Sequence, residues 1–234
     1  MDKEAIRRAV WAELKEKGLS RFPFVPVRRI PNFSGAREAA FNLFEFPEIA
    51  EAKWIKCNPD SAQRPFREEA LRRGKNLLLP TPRLTDGFWV LESHLLLRTE
   101  FARAATKAGV ETLGRRIALE DLPKIDAVVV GSVAVDGRGG RIGKGHGYAD
   151  LEAAILSEWG FPGFPTFTSV HEIQFVESIP LREHDVCLTG VATPSRFVRT
   201  GKSASRPVLN WEQITAEMLG SMPLLRELHA RNGS

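Results

Sequence analysis

One short segment, residues 125–131, constrains the fold most, because it is apolar almost throughout and rich in β-branched residues. Such a strand is typical of a parallel sheet whose two faces are both buried. Residues 53–57 and 76–80 predict two further strands, and a helix predicted over residues 66–73 joins them into a βαβ unit. We therefore predict a single α/β domain over residues 1–234, with a largely parallel sheet flanked by helices.

The remaining elements follow from periodicity and from helix-breaking residues. Residues 3–17 predict a helix, since apolar side chains recur there at three- and four-residue steps, and Gly18 can end it. A short helix is predicted over 36–43, with Pro47 breaking it, and another over 148–159. Further strands are predicted over 168–175 and 186–192, and a last helix over 211–229.

Composition excludes several classes of protein. Hydrophobic residues make up 43% and charged residues 26% of the 234, which is ordinary for a globular domain and not for a disordered chain or a collagen. No apolar run approaches the roughly 18 residues of a membrane span. The charged start of the sequence is unlike a signal peptide. Cys57 and Cys187 are too few for a disulfide framework or a Cys-rich zinc site. We expect a soluble, cytoplasmic protein.

The charge balance leans basic, with 33 Lys and Arg against 29 Asp and Glu, a net charge of +4. Arginine-rich basic surfaces favour anionic ligands, among them nucleotides, polyanionic cofactors and RNA. The competing interpretation is a positive charge that serves only solubility. Charge alone leaves both open.

A glycine-rich loop carries the strongest functional signal. Residues 137–147 contain six of the 19 glycines, between the buried strand and the helix predicted to begin near Tyr148. At such a junction backbone N–H groups point outward, and glycine lets an anion approach them closely. Cations are interspersed at Arg138, Arg141, Lys144 and His146. We interpret the segment as a phosphate-binding loop; a flexible hairpin or surface loop is the alternative.

The loop matches neither of two common nucleotide motifs. Tyr148 stands where the third glycine of a Gly-x-Gly-x-x-Gly motif belongs. Further along, Gly201, Lys202 and Ser203 look like the end of a P-loop, but Arg196 occupies the position of its first glycine.

The run from Asp136 to Asp150 resembles the signature of 5-formyltetrahydrofolate cyclo-ligases, which is Arg-[Leu/Ile]-Gly-x-Gly-x-Gly-Tyr-Tyr-Asp-Arg preceded by an aspartate and a glycine. Other family landmarks occur in order: a basic N-terminal helix, a Gly-Lys-x-x-x-x-Pro strand at residues 74–80, a strand ending in Gln174, and the segment 179–185. The resemblance implies a three-layer α/β/α fold with a mostly parallel sheet, of the NagB/RpiA/CoA-transferase-like kind.

The resemblance also implies ligands. In the family the loop and the N-terminal helix hold ATP, and two aspartates hold magnesium; the matching metal ligands here are Asp150 and Asp185. Mg²⁺ commonly takes one or two carboxylates together with phosphate oxygens and water. Arg141 and Lys144 would be the catalytic cations. The matching ATP-binding positions are Lys3, Arg7, Gly140, Arg141, Gly143, Lys144, Gly145, His146, Gly147 and Tyr148.

The implied reaction closes a ring at the expense of ATP, as in C–N bond-forming ligases of one-carbon metabolism. The formyl oxygen of 5-formyltetrahydrofolate attacks the γ-phosphate to give an iminium phosphate. N10 then closes the ring and expels phosphate, which leaves 5,10-methenyltetrahydrofolate and ADP. Phosphoryl transfer of this kind depends on positioning and on neutralising charge.

The sequence also departs from the family pattern. The second Tyr of the signature is Ala149, and the Arg after its Asp is Leu151. The loop that carries a folate-contacting Glu in cyclo-ligases reads Cys-Asn-Pro-Asp-Ser-Ala-Gln at residues 57–63, so the substrate contacts fall to Asn58, Gln63 and Tyr148. The stretches 30–33, 56–60 and 143–152 look more like a divergent branch, the methenyltetrahydrofolate synthetase domain-containing proteins.

Two functions therefore follow from the sequence. The first is an ATP- and Mg²⁺-dependent cyclo-ligase, acting on a small-molecule folate as a monomer or weak dimer, away from membranes. The alternative is a divergent nucleotide-binding relative without this activity, which binds RNA or acts on another small molecule; RNA is the less favoured partner.

Overall fold

Eight strands form the main sheet of the computed structural model, which describes residues 2–24, 27–85, 87–145, 148–161, 163–181, 185–204, 207–209 and 211–232. The strands of this sheet are β1 (Trp54–Cys57), β2 (Asn76–Pro80), β3 (Phe88–Leu91), β4 (Arg115–Ile117), β5 (Ala127–Val129), β8 (Thr166–Ser169), β9 (Gly190–Ala192) and β10 (Phe197–Arg199). A separate hairpin pairs β6 (Ala134–Val135) with β7 (Arg141–Ile142).

The centre of the main sheet is parallel, as predicted. Its strand order is β10-β9-β8-β5-β1-β2-β3-β4. The five strands from β9 to β2 run parallel to their neighbours, and β10, β3 and β4 add antiparallel edges. The central position of β5 explains its apolar sequence, because a central parallel strand is covered on both faces.

Helices cover both faces of the sheet. The α-helices are α1 (Lys3–Glu16), α2 (Ala36–Asn42), α3 (Pro47–Ala50), α4 (Arg64–Arg72), α5 (Phe101–Ala104), α6 (Lys107–Leu113), α7 (Tyr148–Glu158), α8 (Ala216–Ser221) and α9 (Pro223–Asn232). Short 3₁₀ helices span Leu43–Glu45, Ser61–Gln63, Pro82–Leu84, Ser93–Leu95, Arg98–Glu100, Glu172–Gln174 and Trp211–Gln213.

Two apolar clusters hold the layers together. On one face, Ile55 and Val129 of the sheet pack with residues of α2 to α6, such as Phe66. On the other face, Val128 packs with Ile155 of α7 and with the C-terminal helices. The arrangement is the three-layer α/β/α architecture expected from the sequence.

A third cluster fixes α1 at the carboxyl end of the central strands. The Asp2 side chain caps this helix at the N–H of Ala5, and its buried face includes Ile6 and Val10. These side chains pack against the β6–β7 hairpin through Ala134 and Ile142. The N-terminal basic helix therefore lies beside the glycine-rich segment.

Several sequence-based boundaries are wrong. The strand predicted over 168–175 is β8, and Gln174 instead lies in a 3₁₀ helix because its amide binds the backbone of Ser132 and Val133. The strand predicted over 186–192 begins only at Gly190, since the Leu188 N–H is donated to Gly139 outside the sheet.

Helix boundaries differ for similarly local reasons. Pro47 follows the helix predicted over 36–43 and also begins a further helix, α3. Proline is suited to this position because its fixed φ matches a first helical turn. The helix predicted over 211–229 is split into three, since Thr215 caps α8 and Pro223 starts α9. The strands β3, β4, β6, β7 and β10 and the helices α3, α5 and α6 were not predicted.

None of the helices in the described part of the chain combines the length and the apolarity that crossing a bilayer requires.

Candidate functional site

The candidate site lies where the chain leaves strand β5 of the main sheet and enters the β6–β7 hairpin. The chain leaves β5, forms β6 and β7, and then enters α7. The prediction that the glycine-rich loop links strand and helix directly is therefore wrong: residues 136–140 make the turn of a hairpin, and of the described residues only 143–145 lie between this hairpin and the helix. A hairpin was the alternative interpretation, and it describes the first half.

Asp136 organises the hairpin turn. Its side chain is 1% exposed and accepts hydrogen bonds from the N–H groups of Arg138 at 2.9 Å, Gly140 at 2.8 Å and Ile179 at 2.8 Å. A Cβ on Gly140 would lie 2.6 Å from this carboxylate, which explains the glycine there. The turn is thereby tied to the segment that leads to Asp185.

Arg7 holds the second half of the loop. Its Nε donates to the Gly143 carbonyl at 2.7 Å, and its Nη1 pairs with Glu4 at 2.9 Å. Gly145 has a φ of +102° and faces the same guanidinium, so the loop turns back around the Arg7 side chain. The structure thus brings the predicted ATP-binding residues Arg7, Gly143 and Gly145 together.

Arg141 connects the end of β5 with α7. Its guanidinium is almost buried and donates to the Gly131 carbonyl from Nε at 3.2 Å and from Nη2 at 2.9 Å. Nη1 lies 3.3 Å from the carboxylate of Asp150, in the first turn of α7. In this structure the Arg141 guanidinium fixes the loop to the Gly131 carbonyl, while its Nη1 faces the predicted metal ligand Asp150.

The two predicted metal ligands lie close together. Asp150 Oδ1 accepts a hydrogen bond from the N–H of Val186 at 3.3 Å, which places it beside Asp185 in the chain. Asp185 Oδ2 is 2.5 Å from Nζ of Lys3. The Asp150 carboxylate thus contacts the backbone of the segment that carries Asp185, and carboxylates suit Mg²⁺, which completes its shell with phosphate and water.

No larger metal-binding set exists among the residues that the structure describes: no three His, Cys, Asp or Glu side chains come together in a way that could hold an ion. This excludes from the described chain a closed cage of protein ligands, as a structural zinc site has. Two carboxylates fit magnesium that arrives with a nucleotide.

The loop after β1 lies next to the glycine-rich loop and forms the other side of the candidate site. Arg67 is 1% exposed and donates to the carbonyls of Asn58 at 2.6 Å and Asp60 at 3.0 Å, and to Ala105 at 3.0 Å. Burial raises the pKa of the neighbouring Cys57 thiol to about 11, against the lowering effect of Arg67. Cys57 is therefore an inert core residue, and the loop is rigidly held.

The predicted substrate residue Gln63 is fully buried, and within the described chain neither atom of its amide has a hydrogen-bond partner. It lies against Gly131, where a Cβ would meet Asp60 Oδ2 at 2.8 Å, Ile30 at 2.9 Å and Gln63 Oε1 at 3.0 Å. Asp60 Oδ1 in turn lies 3.5 Å from Lys144 Nζ. The predicted substrate loop and the predicted phosphate loop thus touch.

Three functional candidates were missed from the sequence: Asp60, Lys56 and Glu152. Lys56 and Glu152 form a buried ion pair between β1 and α7. Burial raises the pKa of Glu152, and the Lys56 ammonium acts against this rise. The sequence did contain a signal for this ion pair: Lys56 and Glu152 carry opposite charges and stand among apolar residues of a predicted strand and a predicted helix.

Some predicted residues lie outside this description. His146 and Gly147 are not among the described residues. Tyr148 is described only as the first residue of α7, so the structure leaves its predicted contacts open.

The fold and the site define an α/β protein with a cationic glycine loop after its central strand β5, and with Asp150 in the first turn of the helix that follows the loop. The sequence profile of the 5-formyltetrahydrofolate cyclo-ligase family matches residues 2–194. The chain belongs to that family.

Similar proteins place it in a divergent branch. The chain is 39% identical over 236 residues to the methenyltetrahydrofolate synthase domain-containing protein of Bos taurus, which covers 97% of this chain and 62% of the relative. It is 26% identical over 166 residues to the 5-formyltetrahydrofolate cyclo-ligase of Escherichia coli strain K12, covering 68% of this chain and 88% of the relative. The chain thus spans less than two thirds of the bovine protein.

A solved structure agrees with the fold. The NMR structure of Aquifex aeolicus 5,10-methenyltetrahydrofolate synthetase superposes with a TM-score of 0.55 at 19% identity, covering 91% of this chain and all of that one. This likeness concerns the architecture alone.

Proposed function

We propose that this chain is an ATP- and Mg²⁺-dependent cyclo-ligase that converts 5-formyltetrahydrofolate to 5,10-methenyltetrahydrofolate. One observation carries the proposal: Arg7 from α1 donates to the Gly143 carbonyl at 2.7 Å, which sets a second cation beside the loop that carries Lys144. In open α/β sheets, ligands bind outside the carboxyl ends of the strands.

The cations would hold the triphosphate. Lys144 is 40% exposed and paired only loosely with Asp60, so its ammonium is free to turn toward a phosphate. Arg141 is more firmly fixed and would act by its positive field on the first turn of α7. Charge placed in advance around a phosphoryl group lowers the barrier without reorganisation during the reaction.

The carboxylates of Asp150 and Asp185 would hold magnesium. When bound, Mg²⁺ neutralises phosphate charge. Asp185 would exchange its ion pair with Lys3 for the metal, and Lys3 would then be free to bind a phosphate oxygen. The ion pair of Lys3 with Asp185 thereby holds both side chains in place before the nucleotide arrives.

The substrate would lie between the loop after β1 and the glycine loop. Asn58 and Gln63 supply amide groups there, and the amide of Gln63, which has no hydrogen-bond partner in the described chain, is a suitable partner for a polar heterocycle. Asp60 is the acidic residue of this loop and takes the general place of the family's missing Glu, although Lys144 already pairs with it.

The test is a spectroscopic assay of purified protein with 5-formyltetrahydrofolate, ATP and Mg²⁺, which follows methenyl absorbance. We expect turnover with all three components, its loss in Lys144→Met, and normal turnover in Lys124→Met, whose side chain is 84% exposed. Absence of turnover in a protein that still binds Mg-ATP by calorimetry would overturn the proposal.

The second candidate is a divergent nucleotide-binding protein without this activity, which binds RNA or acts on another small molecule. The burial of Gln63 favours it, because this predicted substrate contact is fully buried. The turnover assay separates this candidate from the first. RNA binding would weaken steeply with salt, whereas binding of one Mg-ATP would change little, so titrations at two salt concentrations separate an RNA ligand from a nucleotide.

We further propose that the protein works in the cytoplasm as a monomer or weak dimer. Light scattering across a range of protein concentrations tests the oligomeric state.

A further inference from the structure

Lys56 and Glu152 form an ion pair in the interior of the protein. Their side chains are 2% and 5% exposed. Lys56 lies in β1 and Glu152 in α7, so the pair spans the space between the sheet and the helix that follows the glycine loop. Around it lie apolar residues of the second cluster, such as Val128 and Leu156.

Stability does not explain such a pair. Transfer of two charges from water into the interior costs several kcal/mol per ion, and well-packed apolar residues at the same positions are often equally stabilising or better. Burial accordingly raises the pKa of Glu152. A specific geometric role is the remaining physical reason for two charges at this depth.

A second contact of the Lys56 ammonium, besides its ion pair with Glu152, indicates this geometric role. Its Nζ lies 3.4 Å from Oδ1 of Asn58, in the loop after β1. Glu152 follows Asp150 by two residues in the first turns of α7. The Lys56 ammonium therefore contacts Asn58 in the proposed substrate loop and Glu152 in α7, the helix that follows the proposed nucleotide loop.

The surroundings contain one more cation. Arg141 and Lys56 line the same small cavity beneath α7, and Arg141 binds Asp150 in the same helix. Lys56 begins one, and Glu152 ends another, of the three stretches that resemble the divergent branch of the family (56–60 and 143–152, besides 30–33). The ion pair physically joins these two stretches.

We propose that Lys56 is a positioning residue that couples nucleotide binding at α7 to the substrate loop, residues 58–63. The coupling to nucleotide rests on the proposed function, but the connection between helix and loop is a property of the ligand-free protein. A shift of α7 on binding Mg-ATP moves Glu152, and Lys56 passes this movement to Asn58.

The test is backbone hydrogen exchange on the full chain, with and without Mg-ATP. The variant is Lys56→Met/Glu152→Met, which replaces the ion pair by apolar side chains and keeps much of the volume. The matched control is Lys53→Met, the same chemical change at an exposed position just before β1. Thermal unfolding checks that each protein is folded.

In the wild type and the control, we expect Mg-ATP to slow exchange in both α7 and the substrate loop. In the double variant it should slow exchange in α7 only, and the response of the loop should fall about fivefold or more, the usual lower range of coupling between sites. An equal loop response in the double variant would overturn the proposal.

Failure of the proposed function has a different signature. If Mg-ATP changes exchange nowhere in the wild type, the proposed nucleotide binding is wrong. The comparison of the ligand-free wild type with the ligand-free double variant then tests the connection between α7 and the substrate loop. Faster exchange in both α7 and residues 58–63 of the double variant then upholds the connection, whereas a change in only one segment, or in neither, refutes it.

A second variant covers failure of the double variant to fold. Glu152→Gln keeps an acceptor for Lys56 but removes the buried negative charge. We expect a partial loss of the loop response to Mg-ATP, or, where Mg-ATP has no effect on the wild type, faster ligand-free exchange in both segments. The full wild-type pattern in this variant counts against the proposal.

Discussion

Lys3 Nζ lies 2.5 Å from Oδ2 of Asp185, although 182 residues separate the two in the chain. One is a predicted phosphate ligand and the other a predicted metal ligand. Their ion pair joins α1 to the segment before β9, so under the proposed function a nucleotide with magnesium would exchange the partners of these two side chains and would not have to bring them together.

Replacing Lys3 by Met should weaken Mg-ATP binding about tenfold or more, since a charge-assisted hydrogen bond contributes about 1.5–3 kcal/mol. Calorimetric titration measures the change. Lys15→Met serves as the control, because Lys15 is exposed in the last turn of the same helix. Equal affinities in all three proteins would remove Lys3 from the nucleotide site.

Asp150→Asn should raise the magnesium concentration needed for ATP binding by about tenfold, equivalent to about 1.4 kcal/mol. The amide oxygen can still accept the Val186 N–H, so the local fold should persist while a metal-ligating charge is lost. ATP titrations over a series of magnesium concentrations give the midpoint. The exposed Asp121→Asn should leave it unchanged, and an unshifted midpoint in Asp150→Asn would contradict the assignment.

Cys57 should resist alkylation in the folded protein. Its side chain is buried, and burial raises the pKa of the thiol to about 11, so only about one molecule in a thousand carries the thiolate at pH 8. Mass spectrometry after iodoacetamide treatment should show modification of Cys57 only upon addition of denaturant. Rapid labelling of the native protein at this residue would show that the loop after β1 opens.

His171 should make the free energy of unfolding fall as the pH drops below about 6.5. Burial lowers the pKa of this histidine, whose neutral Nδ1 accepts the N–H of Ile173 at 3.3 Å. Below the ordinary pKa of about 6.5 the unfolded chain binds a proton that the folded chain resists, so the free energy of unfolding falls as pH falls.

Urea unfolding at several pH values measures this slope. His171→Asn, which can still cap the 3₁₀ helix, should flatten it, whereas His94→Asn at an exposed position should not. Identical slopes in all three proteins would assign the pH dependence to other groups.

The fold was largely predictable because its main signals are local. The β-branched run at β5 and the periodicity of α1 report burial directly, and both elements appear where expected. The antiparallel edge strand β4 was not predictable in the same way, since two of its three residues are exposed and only its pairing with β3 makes it a strand.

The site was predictable as a set of residues but not as a set of contacts. The glycine spacing located the loop, yet nothing in it revealed that Asp136 closes a hairpin turn or that Arg141 is committed to the Gly131 carbonyl. Contacts such as that between Lys56 and Glu152 depend on how a strand and a distant helix face each other, which single-sequence periodicity does not report.

The bare Cα of Gly131 has a consequence for how this branch of the family can change its substrate. Ile30, Asp60 and Gln63 approach within 3.0 Å of the point where any other residue would place a Cβ. Any other residue there would require side chains of two segments to move aside, Ile30 and the loop of residues 57–63 that carries Asp60 and Gln63. A change in the proposed substrate specificity would therefore come more easily from the side chains of that loop, where the sequence departs from ordinary cyclo-ligases, than from position 131.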